Sequence, residues 1–385
     1  MPPLFTFEKQ VTFYFIIPKS LKSECMKNLK SFSRFGIVSL AFLLLLSSCE
    51  PAPVTLALHN PIFPTASQNV TYTLERVTTG TINSARLFET VSTVNSAGVV
   101  TAGTEMELQN WSSPAGDLSY VKSGGYAANS LVTYRWEVKV QEEDKEKTKT
   151  YRVTYAIRPY PVPNQPAPVY VQGDPDDVFD LVFIPDTDIT DMDGFRNHCR
   201  ENIRNAFFDE PHTRLWRRQF NFYINPITGT AKDADSGESH IVPSNNAQLA
   251  FAEGRCLMHR VSIRDYASGG LFSTEQENRG TVLHESGHAL FRLADEYCGN
   301  TSYFAEANSP NLWSSQAAAE AAADDYGTCK SISDVRRIQS GDCTKNWWKL
   351  CVENCQMKTS GLTHTQYDCP CRSRITTRVF ELTSD

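Results

Sequence analysis

The sequence predicts an all-β, immunoglobulin-like sandwich over residues 49–157, a proline-rich linker over 158–172 and an α/β domain over 173–385. Three observations carry this reading. Segments Val70–Glu75, Leu131–Val140 and Thr150–Ile157 alternate apolar and polar residues or are rich in β-branched ones, as half-buried strands are. Five prolines then fall within Arg158–Pro168, which favours an extended, semi-rigid spacer. Beyond them Val178–Pro185 is an almost unbroken apolar run, followed by the four-residue spacing of Phe195, Cys199, Ile203 and Phe207. The first suits a buried strand and the second a helix face. The chain has 385 residues, 41% hydrophobic and 21% charged, enough for two separate cores.

Residues 1–48 read as an address. Lys27, Lys30 and Arg34 precede the apolar stretch Ile37–Leu46, and Ser47 and Ser48 precede Cys49, the order of a secretory signal peptide. Leu46–Cys49 resembles a bacterial lipobox, which implies cleavage before Cys49 and a lipid on its sulfur. The rival is an ordinary signal peptide with Cys49 incidental. Residues Met1–Cys25 fit poorly ahead of such a signal, so Met26 is the expected start. No apolar run reaches the roughly 18 residues of a membrane-spanning helix. The expected product is an exported bacterial lipoprotein, periplasmic or at the cell surface, held to the lipid membrane by acyl chains on Cys49. The net charge of −7 becomes about −11 without the basic address, and it supplies no footprint for nucleic acid.

In the sandwich, Gly80, Gly98, Gly103 and Gly124–Gly125 mark turns, and the charged run Glu142–Lys147 suits a solvated hairpin tip. Its only histidine is His59 and it has no cysteine beyond Cys49, so a spacer or adhesive role is expected. In the second domain Gln219–Pro226 reads as another strand. The acidic stretch Asp186–Gly194 does not register with a calcium loop and suits helix capping better. Gln316–Asp325 reads as a surface helix. Val261–Arg264 reads as a strand, either an edge that accepts an extended peptide or an internal one.

Nine cysteines follow Cys49, all in the second half. In an exported chain disulfides are the default, with at least one thiol left over. A zinc cluster of Cys351, Cys355, Cys369 and Cys371 is the rival, disfavoured by its spacing. A nucleophilic dyad of Cys256 and His259 ranks lower still.

The chemistry is concentrated in Thr281–Tyr297, which contains HExxH from His284 to His288. Apolar residues at Val282, Leu283, Leu290 and Leu293 predict a buried helix. Four residues apart, His284 and His288 share one helix face and can take one Zn²⁺. Glu285 then lies where it can accept a proton from a water activated by that ion. A third ligand is needed. Asp295 is favoured over Glu296, with His240, His259 and His364 more distant. In a continuous helix Asp295 would sit about 10 Å beyond His288, so the chain must bend between Ala289 and Asp295.

The pattern HExGHxxxxLxDEY at His284–Tyr297 resembles the signature of the IgA-peptidase family of zinc metallopeptidases. Asn354–Lys358 resembles that family's Cys-x-Met segment, and Tyr367–Arg372 its Cys-Pro-x-Cys ending, one residue shorter. Phe179–Pro185 and Phe220–Tyr223 resemble its opening strands loosely. The resemblance covers about the last 210 residues. It implies a zincin-type α/β catalytic domain, a mixed sheet with an active-site helix. His284 and His288 are then ligands, Glu285 the catalytic base, Asp295 the third ligand and Met357 a floor beneath the metal. Two positions depart: Arg292 stands where the family has a glycine, and Pro185–Asp188 replaces a Gly-Asp-Gly-Tyr turn. A glycine at 292 would ease the bend; this chain must make it with arginine.

Two functions follow as expectations. One is a lipid-anchored zinc endopeptidase hydrolysing peptide bonds of a protein or glycoprotein substrate. The other is a non-catalytic surface lipoprotein with a zincin-like binding module, in which Glu285 would have no purpose. An enzyme acting on glycans or glycopeptides is a narrower rival.

Overall fold

A computed structural model of the chain describes residues 56–59, 62–76, 80–96, 99–142, 145–158, 165–172, 177–297, 311–322, 336–340, 345–350, 355–358 and 366–383. The expectations for residues 1–48, Cys49 and His364 lie outside them. Among the described residues no helix is long and apolar enough to cross a membrane.

The first domain is two antiparallel sheets. One has strands β1 (Leu56–His59), β2 (Val70–Arg76) and β6 (Leu118–Lys122), in the order β1-β2-β6. The other has β3 (Thr81–Val94), β4 (Val100–Thr101), β5 (Met106–Ser112), β7 (Ser130–Glu142) and β8 (Lys145–Ala156), in the order β4-β3-β7-β8 with β5 also on β3. Alternation along β7 turns Val132, Tyr134, Trp136, Val138 and Val140 into the core, each fully buried. Across the two sheets the Tyr72 and Tyr134 rings meet at 4.6 Å. The Tyr72 hydroxyl this brings inside is partnered, bonding Tyr155 at 2.8 Å and Tyr126, and Tyr126 donates to Glu89, whereas the Tyr134 hydroxyl is buried without a hydrogen-bond partner. Lys122 closes the chain on Glu89 at 2.6 Å, so the buried Glu89 carboxylate is paired. Glu142 and Lys145 face each other where β7 turns into β8.

The second domain is one mixed sheet, in the order β13-β14-β12-β10-β11-β9. Its strands are β9 (Ala167–Tyr170), β10 (Phe179–Pro185), β11 (Phe220–Ile224), β12 (Gly254–His259), β13 (Ala267–Ser268) and β14 (Leu271–Glu275). The four central strands are parallel, and the outer two run antiparallel. Every residue of β10 is buried, which explains its lack of alternation: both faces are covered. Helices α1 (Met192–Asn202) and α3 (Arg279–Ala289) and the terminal α5 (Cys369–Thr383) join the core on one face, through Phe195, Cys199, Val282, Leu283, Ile375 and Val379. Leu249 and Phe251 cover the other face. Short helices α2 (Pro211–Leu215) and α4 (Gln316–Ala322) complete the set used here. Asp191 caps α1, accepting from the backbone N–H groups of Asp193 and Gly194.

Two expectations need correction. Residues 158–172 are not linker throughout, because Ala167–Tyr170 is strand β9 on β11. Its proline is tolerated because an edge strand leaves one side of the backbone unpaired. Val171 also exchanges two hydrogen bonds with Thr154 at 2.6 and 2.9 Å. This places the end of β8 against the start of the second sheet, where Arg218 also lies over the Tyr151 ring. Next, Val261–Arg264 is a loop. The strand is Gly254–His259 and it is central, while the short β13 forms the edge. The Cys256–His259 dyad, already disfavoured from the sequence, does not form: His259 is bonded to Asp265 at 2.7 Å, and burial holds the Cys256 thiol far above its ordinary pKa.

Candidate metal centre

Helix α3 is capped by Asn278, whose side chain accepts from Thr281 N–H at 3.1 Å. Gly280 to His288 are all buried, so this helix has no solvated face and its two imidazoles lie inside the domain. Gly287 is required there, since a Cβ at that position would stand 2.5 Å from the Met357 sulfur. Met357 is itself fully buried.

The helix stops at Ala289. Arg292 adopts φ +57°, the left-handed conformation that ends many helices, and its N–H bonds the His288 carbonyl at 3.1 Å. Leu293 N–H returns to the Gly287 carbonyl at 3.0 Å. The chain reverses through this cap and brings Asp295 back beside the histidines. The left-handed conformation costs an arginine about 1–2 kcal/mol. Arg292→Gly is therefore expected to raise stability by up to about 1 kcal/mol, because glycine's greater freedom in the unfolded chain cancels about 0.5–1 kcal/mol of the relief. Thermal unfolding would register this as a rise of about 2–4 °C; a fall would show that the arginine side chain has stabilising contacts of its own.

The convergence is tight. His284 Nε2 lies 3.1 Å and His288 Nε2 3.2 Å from the same Asp295 oxygen, Oδ1, and the two nitrogens are 3.2 Å apart. On the far side of each ring, His284 Nδ1 meets the Gln356 carbonyl at 2.9 Å and His288 Nδ1 the Leu293 carbonyl at 2.7 Å. A carbonyl only accepts, so each Nδ1 carries a hydrogen, and each Nε2 faces Asp295 with a lone pair when its ring is neutral and with a second N–H when it is charged. Three electron-rich atoms about 3 Å apart repel one another unless a cation lies between them. A tetrahedral ion with ligands at about 2.0–2.2 Å needs them roughly 3.3 Å apart, and this set meets that spacing. His284, His288 and Asp295 thus form a buried group able to hold a metal ion.

The proton balance agrees. Although burial opposes charge on both His284 and Asp295, their mutual bonding wins: His284 is pushed up to about 9 and Asp295 held well below the usual carboxylate range. Burial and the neighbouring His284 lower His288. One proton thus occupies the position a metal would take. Glu285 is 6% exposed, and its Oε2 has no hydrogen-bond partner. Burial, reinforced by Asp265 and Asp295 and opposed by His284, lifts its pKa to about 8.

Other predicted residues fall elsewhere. Glu296 pairs with Lys349, away from the histidines. His240 accepts from Lys232 N–H at 3.0 Å and stacks on Tyr266 at 4.0 Å. His259 holds Asp265, which Ser273 also bonds at 2.7 Å. Sequence reasoning missed the carbonyls of Gln356 and Leu293, which carry no residue signature, and the separate charges of Asp265 and Arg264 that act on Glu285. Tyr297 lies on His284, with ring centroids 5.9 Å apart, and bonds Asp295. A cleft of about 630 Å³ opens between β13 and the end of α3, lined by Tyr266, Ala267, Ser268, His288 and Arg292 among others.

No protein-family model matches the chain, and no curated protein matches it. Among solved structures it is similar to a Bacteroides uniformis β-glucuronidase, at 10% identity and a TM-score of 0.20 over 61% of this chain and 25% of that one. It is also similar to Bacteroides uniformis β-glucuronidase 2 covalently bound to cyclophellitol-6-carboxylate aziridine, at 9% identity and a TM-score of 0.19 over 61% and 26%. The chain spans about a quarter of the length of those proteins, and a likeness this slight carries no argument.

Proposed function

We propose that this chain is a zinc-dependent endopeptidase, exported as a lipoprotein acylated at Cys49, that hydrolyses peptide bonds of a protein or glycoprotein substrate. The observation that carries the reading is the meeting of two imidazole nitrogens and one carboxylate oxygen beside a buried glutamate whose Oε2 has no hydrogen-bond partner. His284, His288 and Asp295 would hold the ion. Two nitrogens and one oxygen in a closed set of three suit zinc, with a fourth position left for substrate or water. Bound there, zinc supplies Lewis acidity, which polarises a scissile carbonyl and makes hydroxide accessible near neutral pH.

The remaining work belongs to the side chains. Glu285 takes a proton from the attacking water and returns it to the departing amine. Its burial keeps bulk water from competing for that proton. Tyr297, 38% exposed on the rim, steadies Asp295 and the His284 ring. An extended substrate strand has a place to add at β13, the last strand of the sheet on that side.

The test is hydrolysis of a peptide mixture by the full chain, with cleavage sites mapped. Activity should disappear with a chelator and return with zinc. Because the His284 proton must leave before an ion binds, half-recovery should need about tenfold more zinc for each pH unit below about 9. Recovery independent of zinc, or cleavage untouched by chelation, would discard the reading.

A further inference from the structure

Behind the candidate centre lies a second group of metal-ligating side chains that the peptidase chemistry does not use. Glu296, Cys355, Asp368 and Cys371 are all buried, and one donor atom of each lies within 4.8 Å of the others. We propose that these four residues form a second, structural zinc site that pins together three segments supporting the first.

Each residue turns one donor atom into the group. Glu296 accepts from Lys349 on Oε2, and its Oε1, which also accepts from Asn311 Nδ2 at 3.4 Å, lies 3.3 Å from the Cys371 sulfur. Asp368 accepts the Cys371 N–H on Oδ1 at 3.2 Å, while its Oδ2 has no partner although the residue is only 3% exposed. An orphaned carboxylate oxygen in so dry a place is costly unless a cation meets it. Burial pushes the Cys355 thiol up to about 12, but its Sγ receives two backbone N–H groups, from Met357 at 3.5 Å and Asp368 at 3.4 Å, which offset part of the cost of a thiolate once a cation is present.

The sulfur spacing separates this reading from a disulfide. Cys355 and Cys371 are not disulfide-bonded, and their sulfurs lie 3.6 Å apart, within hydrogen-bonding distance. Two thiolates on tetrahedral zinc at about 2.3 Å stand roughly 3.75 Å apart, whereas a disulfide needs about 2.05 Å. Thiolate ligands select zinc over calcium or magnesium. Lys349 is compatible with the ion, since it holds the far oxygen of Glu296 and offsets part of the charge of two thiolates and two carboxylates. On binding, each thiol releases its proton to solvent and no redox partner is required.

The expectation of disulfides among these cysteines is thereby divided. Cys369 is disulfide-bonded; Cys355 and Cys371 are not. Of the rival cluster named from spacing, Cys355 and Cys371 come together with two carboxylates, Cys369 is disulfide-bonded, and Cys351 lies outside the described residues. The consequence is mechanical. Glu296 adjoins Asp295, Cys355 adjoins the Gln356 carbonyl that orients His284, and Cys371 opens α5. One ion would fix all three.

Cobalt(II) reconstitution of the full chain tests the proposal without reference to turnover, so its failure is separate from failure of the peptidase reading. Two cobalt ions per chain are expected, with a thiolate-to-cobalt charge-transfer band in the near ultraviolet that the His, His, Asp set has no sulfur to produce. His288→Ala should keep the band and one ion; Cys371→Ser should lose the band and keep the other ion. The wild-type spectrum alone is decisive if Cys371→Ser fails to fold. No band on wild-type protein, a band undiminished in Cys371→Ser, or a Cys355–Cys371 linked peptide in a non-reducing digest would overturn the proposal.

Discussion

Replacing Glu285 by glutamine is expected to lower peptide hydrolysis by about 10²- to 10⁴-fold, the usual contribution of a general base, while zinc stays bound. The geometry separates the two effects. Glu285 is not among the three side chains whose donor atoms converge, and glutamine has nearly the same shape, so a fully packed helix should accept it. What glutamine lacks is an oxygen that can take and release a proton. In the metal-free protein, burial holds the Glu285 carboxyl up at about 8. A dication on the adjoining imidazoles stabilises the carboxylate and brings the group back towards the range where a base is useful at neutral pH. The measurement is a pair: metal content and kcat on a mapped peptide. Activity within a factor of two of wild type, with zinc retained, would remove Glu285 from the mechanism. Loss of zinc with loss of activity would show instead that it supports the ion.

Asp295→Ala is expected to lower zinc affinity by more than about 10²-fold, beyond what loss of an outer hydrogen-bond partner costs, and to abolish hydrolysis with it. Asp295 holds both histidines at 3.1 and 3.2 Å. Without it two neutral rings face each other, and a two-ligand site cannot compete with water for zinc. The metal-free protein should report the same change. The Asp295 carboxylate keeps His284 protonated against the cost of burial, so in the variant that imidazole should titrate lower, which proton NMR can follow. Zinc titration by calorimetry gives the affinity. A variant binding zinc as tightly as wild type would pass the third position to another residue and undo the geometric argument for this centre.

How much of this could be read from the chain varies by residue. His284 and His288 were legible because a single helix relates them, and helical geometry depends only on spacing. Asp295 was legible as a candidate, together with the bend it requires. The means of bending was not. Arginine at 292 argues against a left-handed cap, and the conformation arises because three segments need the reversal: the helix end, the Leu293 carbonyl on His288 and Asp295 on both rings. The fully buried β10 was legible as an apolar run, and β9 was obscured by the prolines of a segment that reads as linker. Its pairing with β11 reflects a free sheet edge, which no local pattern announces.

By itself the sequence determined which residues can do chemistry and which lie one helical turn apart, since side-chain identity and helical periodicity are local properties. Only the tertiary structure decided what meets them: the Gln356 carbonyl on His284, Met357 against Gly287, Cys355 and Cys371 with Glu296 and Asp368. Those contacts join positions as much as 75 residues apart in the chain. They are set by how helices pack on a common sheet and which buried polar atoms then need partners. That is a property of the whole core and of no single segment.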